Sequence, residues 1–372
     1  MRIRLALLTL LLGTRGLAAQ GSTALYTRWN ALGGFEFQRY HFTDSIGTTG
    51  TRVSSVSQWS TPLVLVAPIG RQMSVDMTTH VVHNSVSGSA GRDYTGLTDT
   101  QLRLLYTLRQ DRAVASLSVN LPTGKHSFST DSFSVSSAVT SPFLSFPVSS
   151  IGSGFGVTGG LAYTIPTGGW NLGVAASVRY VSSYEPFTDQ PITYNPGLEG
   201  RLRLGMDRLL GERGRMLVGA TYSTFSTDQF SGSGIVSGWF NPGPRVIVDA
   251  GYAYSWGRTT LLVSGWDFYR AAGSNNGTQS SDTKENVFNA ELRVGQQLSP
   301  RLQLEPLVGF RQWSPGSIRG GRLYSFGANA RIGLNDQFSA TVTGRYATGW
   351  VISGTKSDLT GTAVSVLVRY QR

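Results

Sequence analysis

The sequence predicts an all-β protein, a transmembrane antiparallel β-barrel of about sixteen strands, and three observations lead to this prediction. Apolar and polar residues alternate with a period of two over most of the 372 residues, as in strands with one apolar face. The connections alternate between tight turns and long polar loops, as in membrane barrels. Charged residues make up only 14% and cysteine is absent, which excludes coiled coils, disulfide scaffolds and thiol catalysts.

Residues 1–20 have the three regions of a secretory signal peptide. Arg2 and Arg4 precede an apolar run over 5–12, and the small residues of 16–19 suit a cleavage site. The run is far shorter than the roughly 20 residues of a membrane helix. We therefore expect an exported chain in which residues 21–372 form the barrel.

The predicted strands each carry one apolar and one polar face. Trp170 and Tyr180 lie ten residues apart on the apolar face of one strand. Ten residues at about 3.3 Å per residue and about 40° of tilt climb roughly 25 Å, the height of the apolar band between two aromatic girdles. The sixteen predicted strands are 33–42, 56–69, 73–83, 100–110, 113–123, 155–166, 170–181, 197–210, 215–226, 245–256, 259–270, 285–298, 302–313, 321–334, 338–350 and 358–370.

The first strand is the weakest of these predictions. Phe35 and Phe37 are out of phase with Tyr40 and Phe42, so a barrel of fourteen strands, with residues 21–55 as a plug or arm, is the alternative. Tight turns are expected on the periplasmic side and long loops on the extracellular side. The predicted long loops are 84–99, 124–154, 185–196, 227–243 and 272–284.

The polar face should line the lumen, and arginine dominates it. The predicted pore-lining residues are Arg179, Glu199, Arg201, Arg203, Asp207, Arg245, Asp249, Glu291, Arg293, Glu305, Arg311, Arg331 and Arg345. Asp76, Arg103, Asp267 and Arg369 extend this set. Arginine forms forked pairs with carboxylates, so the set is interpreted as a ladder that stiffens the wall. An anion-attracting pore surface is the other interpretation, and the two can coexist because arginine is in excess.

The loop 124–154 is either extracellular or folded into the lumen. Its middle contains Pro142, Phe143, Leu144, Phe146 and Pro147, and apolar side chains of this size need cover. They are predicted to form a gate in the lumen or a landing site for substrate at the mouth. The alternative is that they pack on neighbouring loops such as 238–240.

No pattern in the sequence predicts an enzyme, a cofactor or a metal site. Residues 154–159 have the spacing of a dinucleotide loop but begin a strand, with no helix after them. His80 and His83 cannot make a closed metal site. The net charge of +11 is spread over strands and turns, which argues against a nucleic-acid partner.

The signal peptide, the alternating strands and Tyr370 in the last strand resemble bacterial outer-membrane barrels. After Asn120, the segment Leu121-Pro122-Thr123-Gly124 resembles transporters linked to aromatic-compound degradation, of the meta-pathway for phenol, which are relatives of the FadL channels. This resemblance implies the outer membrane of a Gram-negative-type bacterium, with outer-membrane lipid, the outer-membrane assembly machinery and a small-molecule solute as partners.

The expected function is that of a channel or transporter for small solutes, and hydrophobic or aromatic compounds are the class that the resemblance implies. A general anion-preferring porin is one alternative. A non-transporting surface scaffold or adhesin, or a soluble secreted β-protein, are the others. The sequence predicts no oligomeric state.

Overall fold

The structure is a computed structural model that describes residues 28–46, 52–89, 91–108, 112–129, 133–232, 235–280, 283–316 and 319–372. The predicted signal peptide lies outside these residues. Most of the described chain is β-strand, and α1 (Phe133–Val139) is a helix of seven residues. No helix in the described ranges is long and apolar enough to cross a membrane.

One antiparallel sheet of seventeen strands forms the wall. It consists of β1 (Asn30–Ile46), β2 (Val53–Ile69), β3 (Met73–Gly88), β4 (Arg92–Leu97), β5 (Thr100–Leu108), β6 (Ala113–Leu121), β7 (Gly156–Thr167), β8 (Trp170–Val181), β10 (Glu199–Leu210), β11 (Gly214–Phe225), β14 (Arg245–Trp256), β15 (Thr259–Arg270), β18 (Glu285–Ser299), β19 (Leu302–Pro315), β20 (Gly320–Gly333), β21 (Phe338–Ser353) and β22 (Thr355–Gln371). The strands β4 and β5 both pair with β3 and are two parts of one wall strand, so the wall has 17 − 1 = 16 strands.

The first strand closes the barrel by pairing with the last. Asn30 lies opposite Gln371, and Phe42 lies opposite Leu359. A closed sheet leaves no edge of unpaired N–H and C=O groups, which is the condition for β-structure in a hydrocarbon layer. The prediction of a sixteen-stranded closed barrel is confirmed. The fourteen-strand alternative is wrong, because β1 and the start of β2 are wall strands and not a plug.

The outer face of the wall is apolar at mid-height. Leu161, Val178 and Leu204 point outward and are each more than half exposed. Aromatic rings lie where the strands reach the tight turns, as in the pair formed by Phe338 and Tyr370, whose ring centroids are 5.0 Å apart. This band of aliphatic side chains beside an aromatic girdle is typical of a surface that faces lipid.

The two ends of the barrel differ. Short turns lie at one end, where Gly168 and Gly169 make a two-residue hairpin turn with φ of 53° and 83°, a conformation that suits glycine. The chain ends meet at the same end, since the N–H of Arg372 donates to the carbonyl of Trp29. At the opposite end, the long connections form a second sheet of β9 (Ile192–Asn195), β12 (Asp228–Gly232), β13 (Ile235–Asn241), β16 (Gly273–Asn275) and β17 (Thr278–Ser280).

The predicted loop over 84–99 is wrong. Its residues extend β3 to Gly88 and begin β4 at Arg92, so the connection is a tight hairpin. Val86 and Tyr94 are buried on the inner face of these strands. Val86 and Tyr94 lie on the opposite face from the apolar residues of the strands that face lipid, so the segment does not show the expected alternation.

Candidate pore constriction

Asp99 closes the base of the long connection between β6 and β7. It lies in the break between β4 and β5, where its Oδ1 accepts the N–H of Gly124 at 3.0 Å and its Oδ2 accepts the N–H of Ser153 at 2.7 Å. The Nδ2 of Asn120 donates to the same Oδ2 at 2.8 Å. A Cβ on Gly124 would lie 2.6 Å from the backbone nitrogen of Asp99, so this close approach requires glycine. The connection therefore leaves and rejoins the wall at one point.

Between these anchors the connection folds into the barrel, and we call residues 133–151 the inner loop. Its backbone carbonyls are held by side chains of the inner face. Arg311 Nη1 donates to the Phe143 carbonyl at 2.8 Å, Tyr40 Oη to that of Leu144 at 3.0 Å, and Gln58 Nε2 to that of Val148 at 2.8 Å.

The apolar side chains of the inner loop are buried against the wall. Phe143, Leu144 and Phe146 are 2%, 7% and 5% exposed, and Phe143 stacks on Trp313 of β19 with ring centroids 5.7 Å apart. Their buried neighbours in the wall are Tyr40, Phe42, Val56, Val82, Val86, Tyr94, Leu323, Ala347, Val351 and Leu359. The inner loop thus covers one half of the wall, from β19 through β22 and β1 to β4.

This packing corrects two interpretations of the loop. Phe143 and Phe146 are not an exposed landing site at the mouth, because the wall covers them. They do not belong with residues 238–240 either, since Trp239 is 38% exposed and its backbone N–H donates to Oδ1 of Asn276, in the turn between β16 and β17. The role of Pro142, Phe143, Leu144, Phe146 and Pro147 as a gate stays a prediction.

The face that the inner loop turns away from the wall carries small hydroxyl groups. Thr140, Ser145, Ser149 and Ser150 are exposed. Ser149 and Ser150 line a cavity of about 290 Å³ together with His80 of β3 and Arg179 of β8. The loop is therefore amphipathic, with aromatic groups against the wall and neutral polar groups toward the lumen.

Arginine–carboxylate pairs form a ladder along the inner face, both on β10, β11 and β14, which the inner loop leaves uncovered, and on β18 to β21. All thirteen predicted pore-lining residues lie on the inner face. The shortest N···O distances are 2.7 Å for Arg201 and Glu199, 2.9 Å for Arg203 and Asp249, 2.6 Å for Arg215 and Asp207, 3.2 Å for Arg331 and Glu305, and 2.8 Å for Arg345 and Glu291, which Arg293 also contacts.

Water reaches this ladder. The side chains of Arg179, Arg201 and Arg345 are 35%, 35% and 30% exposed, although all three face inward. Glu305, in contrast, has a side chain only 1% exposed. The exposure of the three arginines means that the lumen beside these side chains has room for water.

Positive charge is in surplus on the inner face. Among the described residues, Arg245, Arg311 and Arg369 form no ion pair. Arg311 instead donates to Asn289 at 3.0 Å, Arg369 donates to Asn30 at 2.8 Å, and Arg245 lies over the ring of Phe225 at 4.6 Å. Three arginines therefore add charge that no carboxylate neutralises.

One predicted lumen residue is on the other face. Asp267 lies opposite Val248 and Phe288, which point outward and are 42% and 41% exposed. Directly paired residues share a face, so Asp267 is outward. Its Oδ1 accepts the Nδ2 of Asn286 at 2.9 Å, and this bond satisfies a polar group near the loop end of the wall.

The sequence interpretation missed further charged residues of the inner face, among them Glu36 in β1, whose Oε2 accepts the hydroxyl of Ser60 at 3.2 Å. Arg215 pairs with Asp207, while Arg270 and Glu285 pair with each other at 2.9 Å. Arg270 and Glu285 stand at the last and first positions of their strands and Arg215 at the second position of β11, where the alternation has few neighbours to show a phase. Assigning the two faces at the middle of each strand and extending the alternation to its ends would have identified Arg215, Arg270 and Glu285. The part of the chain that is described holds no group of three or more acidic or histidine residues able to bind a metal.

Aromatic side chains cluster at the loop end. Tyr194 of β9 stacks on Phe230 with centroids 4.8 Å apart, and Tyr184 meets Tyr194 edge-on. The hydroxyl of Tyr194 donates to Asp228 Oδ2 at 2.7 Å. Burial and this carboxylate both raise the pKa of Tyr194 above its ordinary value, so the hydroxyl keeps its proton and the second sheet keeps this bond.

No family model and no curated protein match the sequence. Similar solved structures include a bacterial polysaccharide outer membrane secretin (10% identity, 91% of this chain and 98% of that chain, TM-score 0.48). The outer membrane channel DcaP of Acinetobacter baumannii (10%, 92% and 97%, TM-score 0.42) and a mutant of the TodX monoaromatic hydrocarbon channel (10%, 92% and 90%, TM-score 0.43) are others.

Proposed function

We propose that this protein is an outer-membrane channel for small solutes and that it prefers anions. The observation that carries the proposal is the pair of partly exposed arginines Arg179 and Arg201 on the half of the inner wall that the inner loop leaves uncovered. The short turns face the periplasm and the second sheet faces the outside, the usual orientation of such barrels.

Placement in a membrane is supported by the outer face. Leu161, Val178 and Leu204 belong to an apolar band that would lie in water if the protein were soluble. Contiguous exposed apolar surface of this kind marks contact with a membrane or a partner. The ladder inside and the apolar band outside reverse the arrangement of a soluble barrel, whose core is apolar.

The dimensions support a passage. Sixteen strands about 4.8 Å apart and tilted by about 40° enclose a backbone cylinder roughly 30 Å across. The inner loop fills one side of this cylinder. The remaining space is bounded by Ser145, Ser149 and Ser150 on one side and by Arg179 and Arg201 on the other.

The charge of the wall supports a preference for anions. Arg245, Arg311 and Arg369 form no ion pair with a carboxylate of the described chain. Cationic side chains that line a pore favour the passage of anions. The resemblance of Leu121–Gly124 to FadL-related transporters stays a prediction. The last residue of that segment, Gly124, has a structural role in this chain because its N–H donates a hydrogen bond to Asp99 at the base of the inner loop.

Purified protein in planar bilayers tests the proposal. Folded barrel should form channels, and under a KCl gradient the reversal potential should have the sign of chloride preference. A protein that folds and inserts but never conducts would contradict the channel. A cation preference would show that the carboxylates, and not the surplus arginines, set the field at the narrowest point.

A further inference from the structure

An apolar shelf lies beside charged groups on the inner face of β14 and β15. Ile247 is directly opposite Phe268 and also opposite Thr221, whose hydroxyl accepts Nη1 of Arg203 at 2.8 Å. Two residues further toward the loop end, Arg245 lies opposite Arg270. Alternation along each strand places all four side chains in the lumen.

The shelf is not covered by the inner loop. Ile247 is 36% exposed, although it points inward, and Phe268 is half-buried. Neither residue belongs to the buried cluster around Phe143 and Phe146. Apolar surface left open to water in a passage has a cost in free energy, which a ligand with an apolar body would remove.

Arg245 is the cation of this region that lacks a counter-ion. Its Nε–H is buried and has no hydrogen-bond partner among the described residues. Its charged neighbours are Arg270, Arg201, Glu199 and Glu285, so the group carries 3 − 2 = +1 charge. Both carboxylates are already held, Glu199 by Arg201 at 2.7 Å and Glu285 by Arg270 at 2.9 Å.

The two arginines repel each other across the strands. Like charges directly opposite one another destabilise a sheet, and a carboxylate between Arg245 and Arg270 would relieve the repulsion with charge-assisted hydrogen bonds. The ring of Phe225 below Arg245, at 4.6 Å from the guanidinium carbon, extends the apolar surface to the neighbouring strand. A cationic pair at the edge of a flat apolar shelf fits a ligand with one anionic end and one planar end.

We propose that Arg245, Arg270, Ile247, Phe268 and Phe225 bind a small aromatic monocarboxylate on its way through the lumen. The carboxylate lies on the two guanidinium groups, and the ring lies on the side chains of Ile247 and Phe268. Glu199 and Glu285 flank the cations and disfavour a second carboxylate. This assignment rests on the proposed channel function and gives its substrate class.

Benzoate is the probe, and binding is measured by calorimetry on the detergent-solubilised barrel and by block of single-channel current. Benzoate should bind and block more strongly than acetate, which lacks the ring, and than benzyl alcohol, which lacks the charge. Arg245→Gln should weaken benzoate binding about tenfold or more, the usual effect of losing a hydrogen bond to a charged group. Phe268→Ala should weaken the binding of benzoate and leave the weak binding of acetate unchanged.

Arg258→Gln is the matched control, because it removes the same charge from the exposed turn of the same hairpin. Its affinity for benzoate should equal that of the unaltered protein. Equal binding of acetate and benzoate, or of benzyl alcohol and benzoate, would overturn the assignment. A barrel that conducts but binds no benzoate would contradict this binding site and leave the proposed channel function intact. A folded barrel that never conducts would contradict the channel function itself.

Discussion

Tyr40 and Phe146 meet edge to face inside the barrel, with ring centroids 5.6 Å apart and ring planes at 84°. One ring belongs to the first wall strand and the other to the inner loop, more than one hundred residues later. The hydroxyl of Tyr40 also donates to the carbonyl of Leu144. This contact joins the wall to the inner loop, which narrows the lumen. Removing the contact should therefore change the conductance of the pore more than the stability of the barrel.

Phe146→Ala should loosen the inner loop without unfolding the wall. Loss of a buried phenylalanine costs about 3–5 kcal/mol, but the loss falls on the loop because strand hydrogen bonds hold the wall. Hydrogen exchange should rise over residues 138–150, while the heat-dependent gel shift of the barrel stays the same. Phe155→Ala, at an outward residue that is 41% exposed, is the control and should leave exchange in the loop unchanged. A large fall in the stability of the whole barrel would contradict the account.

Asp99→Ala should free the base of the inner loop. Asp99 accepts bonds from Gly124, Ser153 and Asn120, and each buried group left without its partner costs about 1–3 kcal/mol. Single-channel recordings should show a larger and noisier conductance. Asp93→Ala removes an exposed carboxylate from the same wall strand and should leave the recordings as they are. Identical traces for both variants would mean that Asp99 does not hold the loop.

Deleting residues 138–150 should widen the passage. The deletion removes Phe143, Leu144 and Phe146 and exposes the inner apolar cluster around Tyr40 and Leu359, while every wall strand remains. Conductance should rise severalfold if the barrel still assembles in the bilayer. An unchanged conductance in a folded barrel would show that the narrowest point lies elsewhere.

Glu291→Gln should strengthen the preference for anions. Glu291 contacts both Arg293 and Arg345, so neutralising it adds two unpaired cations to the lumen wall. The reversal potential under a KCl gradient should move further toward the chloride value. Asp336→Asn, in an exposed tight turn, removes the same charge outside the lumen and should leave the potential unchanged. An unchanged potential would place Glu291 outside the conducting path, and a shift toward potassium would contradict the predicted sign of the effect.

The alternation of the sequence predicted most of the wall, with the end of β3 and the whole of β4 as the exceptions. Arg201 and Arg203 lie on the opposite face from Leu202 and Leu204 because adjacent residues of a strand point in opposite directions, and hydrocarbon outside the barrel selects which face is apolar. The even number of strands followed from the same pattern.

The inner loop was not predictable by that rule, because the rule assigns every apolar residue to the lipid. Tyr40 and Phe42 in β1, and Val86 in β3, are apolar residues on the inner phase. They were interpreted as an irregular strand and as a loop. Apolar residues on both phases near the loop end of a wall strand indicate instead that something apolar lies inside. Asp267 is the converse case, a polar residue on the outer phase whose partner Asn286 comes from the next strand.

Cysteine accessibility tests the central claim most directly, because the chain contains no cysteine. Single cysteines are introduced as Ser149→Cys on the inner loop and Arg201→Cys on the uncovered wall, with Val82→Cys, at a position 0% exposed, as the control. A negatively charged thiol reagent added to open channels should react at both lumen positions and reduce the current, and the Val82 variant should not respond. Current that is unaffected at both lumen positions, although the same variants react after unfolding, would contradict a water-filled passage between the inner loop and the arginine ladder.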